Sequence, residues 1–210
     1  ADRIPIGDSI LKLLGLTGGI ACGKSTACAF LKQHSSWPVV DADAVCHDIY
    51  AHAPDFLADA LRKRWGADAV SPDGSVNRSV LSRRVFGDGG LAELNALTHP
   101  LILERVRKET ERLNGEPIAI LDVPLLFETG WDRHVWRVAA VWCDEPTQRA
   151  RLAARGLDSD AMERRLAAQW SADEKLAKAD YGLINNGSPT HLERQCMDLI
   201  ERIEKDLAGE

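Results

Sequence analysis

Continuous apolar runs rich in β-branched residues recur along the chain at positions 11–17, 38–41, 118–123, 135–143 and 181–184. Most of the first, third and fourth runs are unbroken rather than alternating. An unbroken run of strand length marks a strand covered on both faces, as in a parallel sheet. Helix-like stretches separate the runs, so the pattern predicts repeated β–α units and an α/β fold.

The stretch between Asp41 and Ile118 carries no convincing strand and is too long for a plain loop. Phe56, Leu57, Ala60, Leu61 and Trp65 recur at helical spacing, with Gly66 placed to end that helix. Short helices are expected at 80–86, stopping at Gly87, and at 91–97. Pro100 is placed to start another, running to about Leu113. Asp73-Gly74 reads as a turn. The whole reads as a helical subdomain over the C-terminal edge of the sheet. After the fourth run, Pro146 opens a helix to Arg155, followed by a polar, Arg-rich stretch over 155–178. Ser171-Ala172-Asp173-Glu174 has the form of a capping box, and 191–207 is an amphipathic closing helix.

The most informative segment follows the first apolar run. Gly18-Gly19-Ile20-Ala21-Cys22-Gly23-Lys24-Ser25 fits G-x-x-x-x-G-K-[ST], the phosphate-binding loop. Its backbone N–H groups can surround a di- or triphosphate, Lys24 can reach the β- and γ-phosphates, and the Ser25 hydroxyl suits Mg²⁺. A helix opening at the loop, from Ser25 and Thr26 onwards, adds its positive dipole end. The motif implies a nucleoside triphosphate without saying what is done with it.

Other candidates sit where apolar runs end, the side of an α/β sheet that takes ligands. Asp41 and Asp43 end the second run. Either carboxylate could orient an attacking hydroxyl or accept its proton, and either could instead cap the next helix. Asp122 ends the third run in the manner of a Walker B carboxylate, which holds Mg²⁺; the competing reading is a turn residue before Pro124. Arg151 and Arg155 are four apart and share a helix face, where guanidinium forks can bind phosphate oxygens. An arginine-bearing lid would also exclude water. A GTPase reading requires N-K-x-D, and the chain has no such string.

Composition narrows the partners. The chain has 210 residues, 45% hydrophobic and 28% charged, which fits an ordinary globular protein rather than a disordered one. Its net charge of −6 argues against a broad nucleic-acid surface, though not against a local pocket for a phosphorylated small molecule. The five cysteines are scattered with no C-x-x-C pair, so neither a zinc site nor a disulfide framework is indicated. Reduced thiols predict a cytoplasmic setting. No apolar run approaches membrane-spanning length, and residues 1–9 are too polar for a secretory leader. No nucleic-acid or membrane partner is expected, and the protein should be a monomer or weak homo-oligomer.

The segment Leu16-Thr17-Gly18-Gly19-Ile20-Ala21-Cys22-Gly23-Lys24-Ser25-Thr26 resembles the opening of dephospho-CoA kinases, usually L-T-G-G-I-[GA]-S-G-K-S. Further matches follow in order: Asp41-Ala42-Asp43; Arg78 with Leu81 and Val85-Phe86; Leu94-Asn95 with His99-Pro100-Leu101-Ile102; Val123-Pro124-Leu125-Leu126-Phe127-Glu128; Gln148 with Arg151; Arg155; Arg165 with Gln169; and Asn185-Asn186-Gly187. One departure is Cys22, which stands where the usual loop has serine.

The resemblance implies a P-loop kinase of the nucleoside monophosphate kinase type. Its five-stranded parallel sheet would have order 2-3-1-4-5 and be flanked by helices. Core segments would be 10–52, 116–155 and 179–208, with a helical dephospho-CoA-binding subdomain at 53–115 and an Arg-rich lid at 156–178. ATP and Mg²⁺ are implied, with dephospho-CoA as acceptor. By the same resemblance Asp43 is the base, Arg151 the lid arginine at the transferring phosphate, and Thr17 a site threonine. Arg155, Asn186 and Gly187 join the loop on the nucleotide, and Arg78, His99 and Leu126 join Asp43 on the acceptor.

Overall fold

The computed structural model describes residues 11–85, 90–113 and 115–209. The chain forms two compact units, one ending at Val40 and resuming at Leu113, the other Asp41–Arg112. In the first, β1 (Lys12–Gly18), β2 (Val39–Asp41), β3 (Ile118–Asp122), β4 (Arg137–Trp142) and β5 (Tyr181–Ile184) make a parallel sheet of order β2-β3-β1-β4-β5. The expected order holds. Leu16 pairs with Asp122 and Gly18 with Val141, so the ends of β1, β3 and β4 lie side by side.

The unbroken apolar runs are explained by burial. Leu14, Leu16, Ile118 and Ile120 have no exposed surface. They pack with Ala27 and Leu31 of α1 (Lys24–His34) and with Leu192, Cys196, Leu199 and Ile203 of α9 (Pro189–Ala208). That spacing on α9 is a helical stripe, and each fully buried leucine or isoleucine contributes about 1.5–3 kcal/mol. The Arg-rich stretch folds as α7 (Ser159–Ala167) and α8 (Ala172–Lys178), after α6 (Glu145–Ala154). Asp144 and Asp158 cap α6 and α7, and the expected capping box at Ser171 and Glu174 starts α8.

The second unit has its own apolar core. It comprises α2 (Ala42–Ala51), α3 (Asp55–Trp65), α4 (Arg78–Val85) and α5 (Gly90–Glu111). The Asp73-Gly74 turn is present, with Gly74 at φ 86° and an isolated bridge between Val70 and Val76. One expectation fails. The two helices expected on either side of Pro100 are one continuous α5 with Pro100 inside it. Proline removes an N–H and costs about 3 kcal/mol in a helix interior. Here Leu94, Thr98, Ile102, Val106 and Thr110 form an unbroken buried stripe through the proline, and that packing overrides the local signal. The expected stop at Phe86-Gly87 lies outside the described residues.

Helix α8 is fastened by a buried charge pair. Lys175 has no exposed side-chain surface and lies 2.9 Å from Oε1 of Glu128, in the loop after β3. Its ammonium also donates to the Pro124 carbonyl at 2.7 Å and reaches the Gly18 carbonyl at 3.5 Å. Glu128 Oε1 further accepts from the Trp170 N–H at 3.0 Å. Removing one member of a buried pair leaves an uncompensated charge, whereas replacing both is often neutral. Lys175→Met should therefore cost about 3–5 kcal/mol in denaturant unfolding, and Lys175→Met with Glu128→Leu should recover most of it. A single variant as stable as the parent would contradict this reading of the pair.

Candidate active site

A backbone loop that holds an anion must turn its N–H groups to the ligand, so its carbonyls must bond elsewhere. The loop after β1 shows where each one goes. The Gly19 carbonyl accepts from the Cys22 N–H at 3.1 Å. The Ile20 carbonyl accepts from Gln148 Nε2 at 2.7 Å. The Ala21 carbonyl takes Arg151 Nη1 at 3.3 Å. The Cys22 carbonyl takes Asn185 Nδ2 at 2.8 Å and Arg151 at 3.4 Å. The Gly23 carbonyl accepts from the Ala27 N–H at 3.0 Å, the first turn of α1.

The loop's conformation depends on residue type at two positions. Gly23 has φ 99° and precedes α1, and a Cβ there would lie 2.1 Å from Asn185 Nδ2. Among the described residues Ala21 is the non-glycine residue with positive φ, at 59°. A left-handed alanine is strained by about 1–2 kcal/mol and persists only where its surroundings hold it. Packing of Ala21 with Leu152 and Met162, together with Arg151 on its carbonyl, supplies that hold.

Lys24 opens α1 and forms an ion pair with Asp122 at the end of β3. Both are largely shielded, with 16% and 13% of their side chains exposed. Thr17 is fully buried and donates to the Pro124 carbonyl at 3.0 Å, the same carbonyl that Lys175 holds. Thr17 and Lys175 thus share one acceptor and tie the turn after β3 to the root of the loop.

Arg151 lies on α6 with its guanidinium spread over three backbone carbonyls, the third being Asn185 at 2.9 Å. Arg155 is exposed at the C-cap of α6, one turn further on. Asn186 exchanges hydrogen bonds with Asp144, both at 2.9 Å, which fixes the turn into Gly187. Ser25 and Thr26 lie in the first turn of α1 and are exposed. Leu126 is fully buried, and a Cβ on Gly15 would lie 2.6 Å from it. Its side chain therefore packs against β1 at Gly15.

In the second unit the alternatives at the end of β2 separate. Asp41 is the N-cap of α2, accepting from the Asp43 N–H at 2.9 Å and the Ala44 N–H at 3.0 Å. The carboxylate of Asp43 is not spent on that cap. Asp43 and Arg78 both act on Cys46: burial pushes its thiol up, Arg78 opposes that and Asp43 adds to it. His99, on α5, is half-buried, and loss of solvation lowers its imidazole pKa, favouring the neutral form.

Ser25 and Asp122 offer hard oxygen donors. Among the described residues no cluster of three or more His, Cys, Asp or Glu forms a metal cage. That donor set fits Mg²⁺, which binds through one or two protein oxygens and completes its shell with phosphate oxygens and water. Gln148, Asn185 and Lys175 were not singled out as site residues from the sequence. For Gln148 and Asn185 the legible signal is a polar residue just past the C-terminal end of a strand, or in the helix turn after it; Lys175, inside α8, carries no such signal.

Known proteins resemble this chain over most of its length. Residues 12–191 match the dephospho-CoA kinase family profile. The dephospho-CoA kinase of Symbiobacterium thermophilum is 43% identical over 182 residues, covering 85% of this chain and 75% of that protein. The one from Anaeromyxobacter dehalogenans is 41% identical over 203 residues, covering 95% and 93%. The solved structure of TT1252 from Thermus thermophilus superposes with TM-score 0.75 at 32% identity, over 91% of this chain and 97% of that one. A dephospho-CoA kinase from Campylobacter jejuni superposes with TM-score 0.70 at 25% identity, over 93% and 98%. The anchored phosphate loop, the strand order and these likenesses together show that the chain belongs to the dephospho-CoA kinase family.

Proposed function

We propose that this chain transfers the γ-phosphoryl of ATP to the ribose 3′-hydroxyl of dephospho-CoA, forming CoA and ADP, the last step of coenzyme A synthesis. One observation carries the reading: every carbonyl from Gly19 to Gly23 is bonded into the protein, in a chain of that family. The loop is thereby preorganised to present N–H groups to a polyphosphate.

Phosphoryl transfer has a loose transition state, so catalysis rests on positioning and on offsetting charge. Lys24 leaves its pairing with Asp122 partly or wholly to meet the β- and γ-phosphates. Arg151, already fixed along the loop, offsets charge on the moving group. Asp43 orients the 3′-hydroxyl for in-line attack and takes its proton. Thr17 acts through the Pro124 carbonyl and is a positioning residue. Ser25 and Asp122 would hold Mg²⁺, which when bound neutralises charge on the phosphates. Asn186 and Gly187 border the adenine, with Arg155 nearby on the nucleotide.

The acceptor falls to the helical unit, through Arg78 and a neutral His99, and the Arg-rich segment ahead of α8 serves as lid. Five cysteines without a disulfide framework fit a reducing, cytoplasmic setting.

With ATP present, ADP should form only when dephospho-CoA is supplied. AMP, CMP or a nucleoside turning over with comparable kcat/KM would contradict the acceptor assignment. Asp43→Asn should lower kcat by about 10²–10⁴-fold and leave the KM for ATP near the parent value. Turnover within about twofold of the parent would remove Asp43 as the base.

A further inference from the structure

Cys22 stands where the family's usual loop carries serine, and the structure gives that difference a partner. Its Sγ lies 3.3 Å from Sγ of Cys143, the residue that follows β4. Both are buried. Gln148 Nε2, the group that holds the Ile20 carbonyl, also reaches the Cys22 sulfur at 3.8 Å. A cavity of about 310 Å³, lined by Ile20, Cys143, Gln148 and Ala172 among others, brings a small solute to Cys143 and so within one sulfur–sulfur contact of Cys22.

We propose that Cys22 and Cys143 are an oxidisable dithiol that a peroxide converts to a disulfide, reversibly disabling the phosphate loop. The inference rests on the loop's geometry and not on which acceptor the enzyme phosphorylates.

The chemistry assigns distinct roles to the two sulfurs. Cys143 donates its S–H to Cys22, which holds the Cys22 thiol below the ordinary cysteine range; burial opposes this, and the Arg151 charge assists. The same hydrogen bond pushes the Cys143 thiol up. Cys22 is therefore the nucleophile and Cys143 the resolving thiol. The Cys22 thiolate attacks hydrogen peroxide: an S–O bond forms, the O–O bond breaks and hydroxide leaves, giving the sulfenic acid. Cys143 then attacks that sulfur. An S–S bond forms, the S–O bond breaks, and water leaves with the Cys143 proton. In sum two thiols and one peroxide give one disulfide and two waters.

The cost falls on the loop. A disulfide needs sulfurs about 2.05 Å apart, so these must close by about 1.3 Å from their present 3.3 Å. Residue 22 has little slack. Its carbonyl is held by Asn185 and Arg151, its N–H bonds Gly19, and it is flanked by Ala21 at φ 59° and Gly23 at φ 99°. Drawing its sulfur towards β4 displaces the N–H groups that receive the phosphates.

The test uses the full chain treated with equimolar hydrogen peroxide, then peptide mapping and calorimetric ATP titration. A Cys22–Cys143 link is expected, with ATP affinity at least about tenfold weaker (about 1.4 kcal/mol) and restored by dithiothreitol. Cys143→Ala should keep the basal activity, form no link, and stop at a Cys22 sulfenic acid that dimedone traps. Cys143→Ser serves the same purpose should the alanine variant prove unstable. Peroxide-treated protein in which these two cysteines are not joined, or are joined with ATP affinity unchanged, would overturn the proposal.

Discussion

Backbone that grips an anion through its N–H groups has to dispose of its carbonyls, and much of this structure follows from how it does so. The groups involved come from widely separated parts of the chain: Gln148 and Arg151 on α6, Asn185 after β5, Lys175 on α8. A buried carbonyl left without a partner costs about 1–3 kcal/mol, so these contacts together outweigh the strain at Ala21. The parallel sheet makes the arrangement possible, because its order brings the ends of β1, β3, β4 and β5 to one edge.

The same economy links holding and catalysis. Arg151 binds three neutral carbonyls, so its charge is not cancelled by a carboxylate at those contacts. Lys24, by contrast, rests on Asp122. One cation is positioned by dipoles and the other by a counter-charge, and the first can meet a phosphate without breaking an ion pair. Thr17 and Lys175 meet at the Pro124 carbonyl, so the turn after β3 is held by a neutral hydroxyl and a buried ammonium at once. The helical unit, residues 41–112, is stabilised by a core of its own.

What could be read from the chain follows the range of the forces involved. The strands were legible because burial on both faces leaves unbroken apolar runs such as Ile118–Leu121. The loop was legible because its glycines and Lys24 are contiguous. Pro100 misled because a local breaking signal lost to a long buried stripe on α5. Asp41 and Asp43 were indistinguishable until the cap geometry spent one of them. Gln148, Asn185 and Lys175 were obscure for a different reason: each acts on a backbone carbonyl far away in sequence, and backbone acceptors carry no letter. Lys175 was hidden further inside a polar stretch that reads as solvated, where its full burial is unexpected.

The role of carbonyl anchoring can be separated from the chemistry by measuring ATP affinity in Asn185→Ala. That change strips the Cys22 carbonyl of its 2.8 Å partner while leaving Lys24, Ser25 and Asp122 in place. If preorganisation of the loop underlies nucleotide binding, the unanchored loop must be ordered at the moment of binding. Calorimetry should then show ATP affinity about tenfold weaker, in a variant that still folds with about 1–3 kcal/mol less stability from the lost hydrogen bond. Parent-like ATP affinity in that variant would show that the loop holds its shape without its anchors.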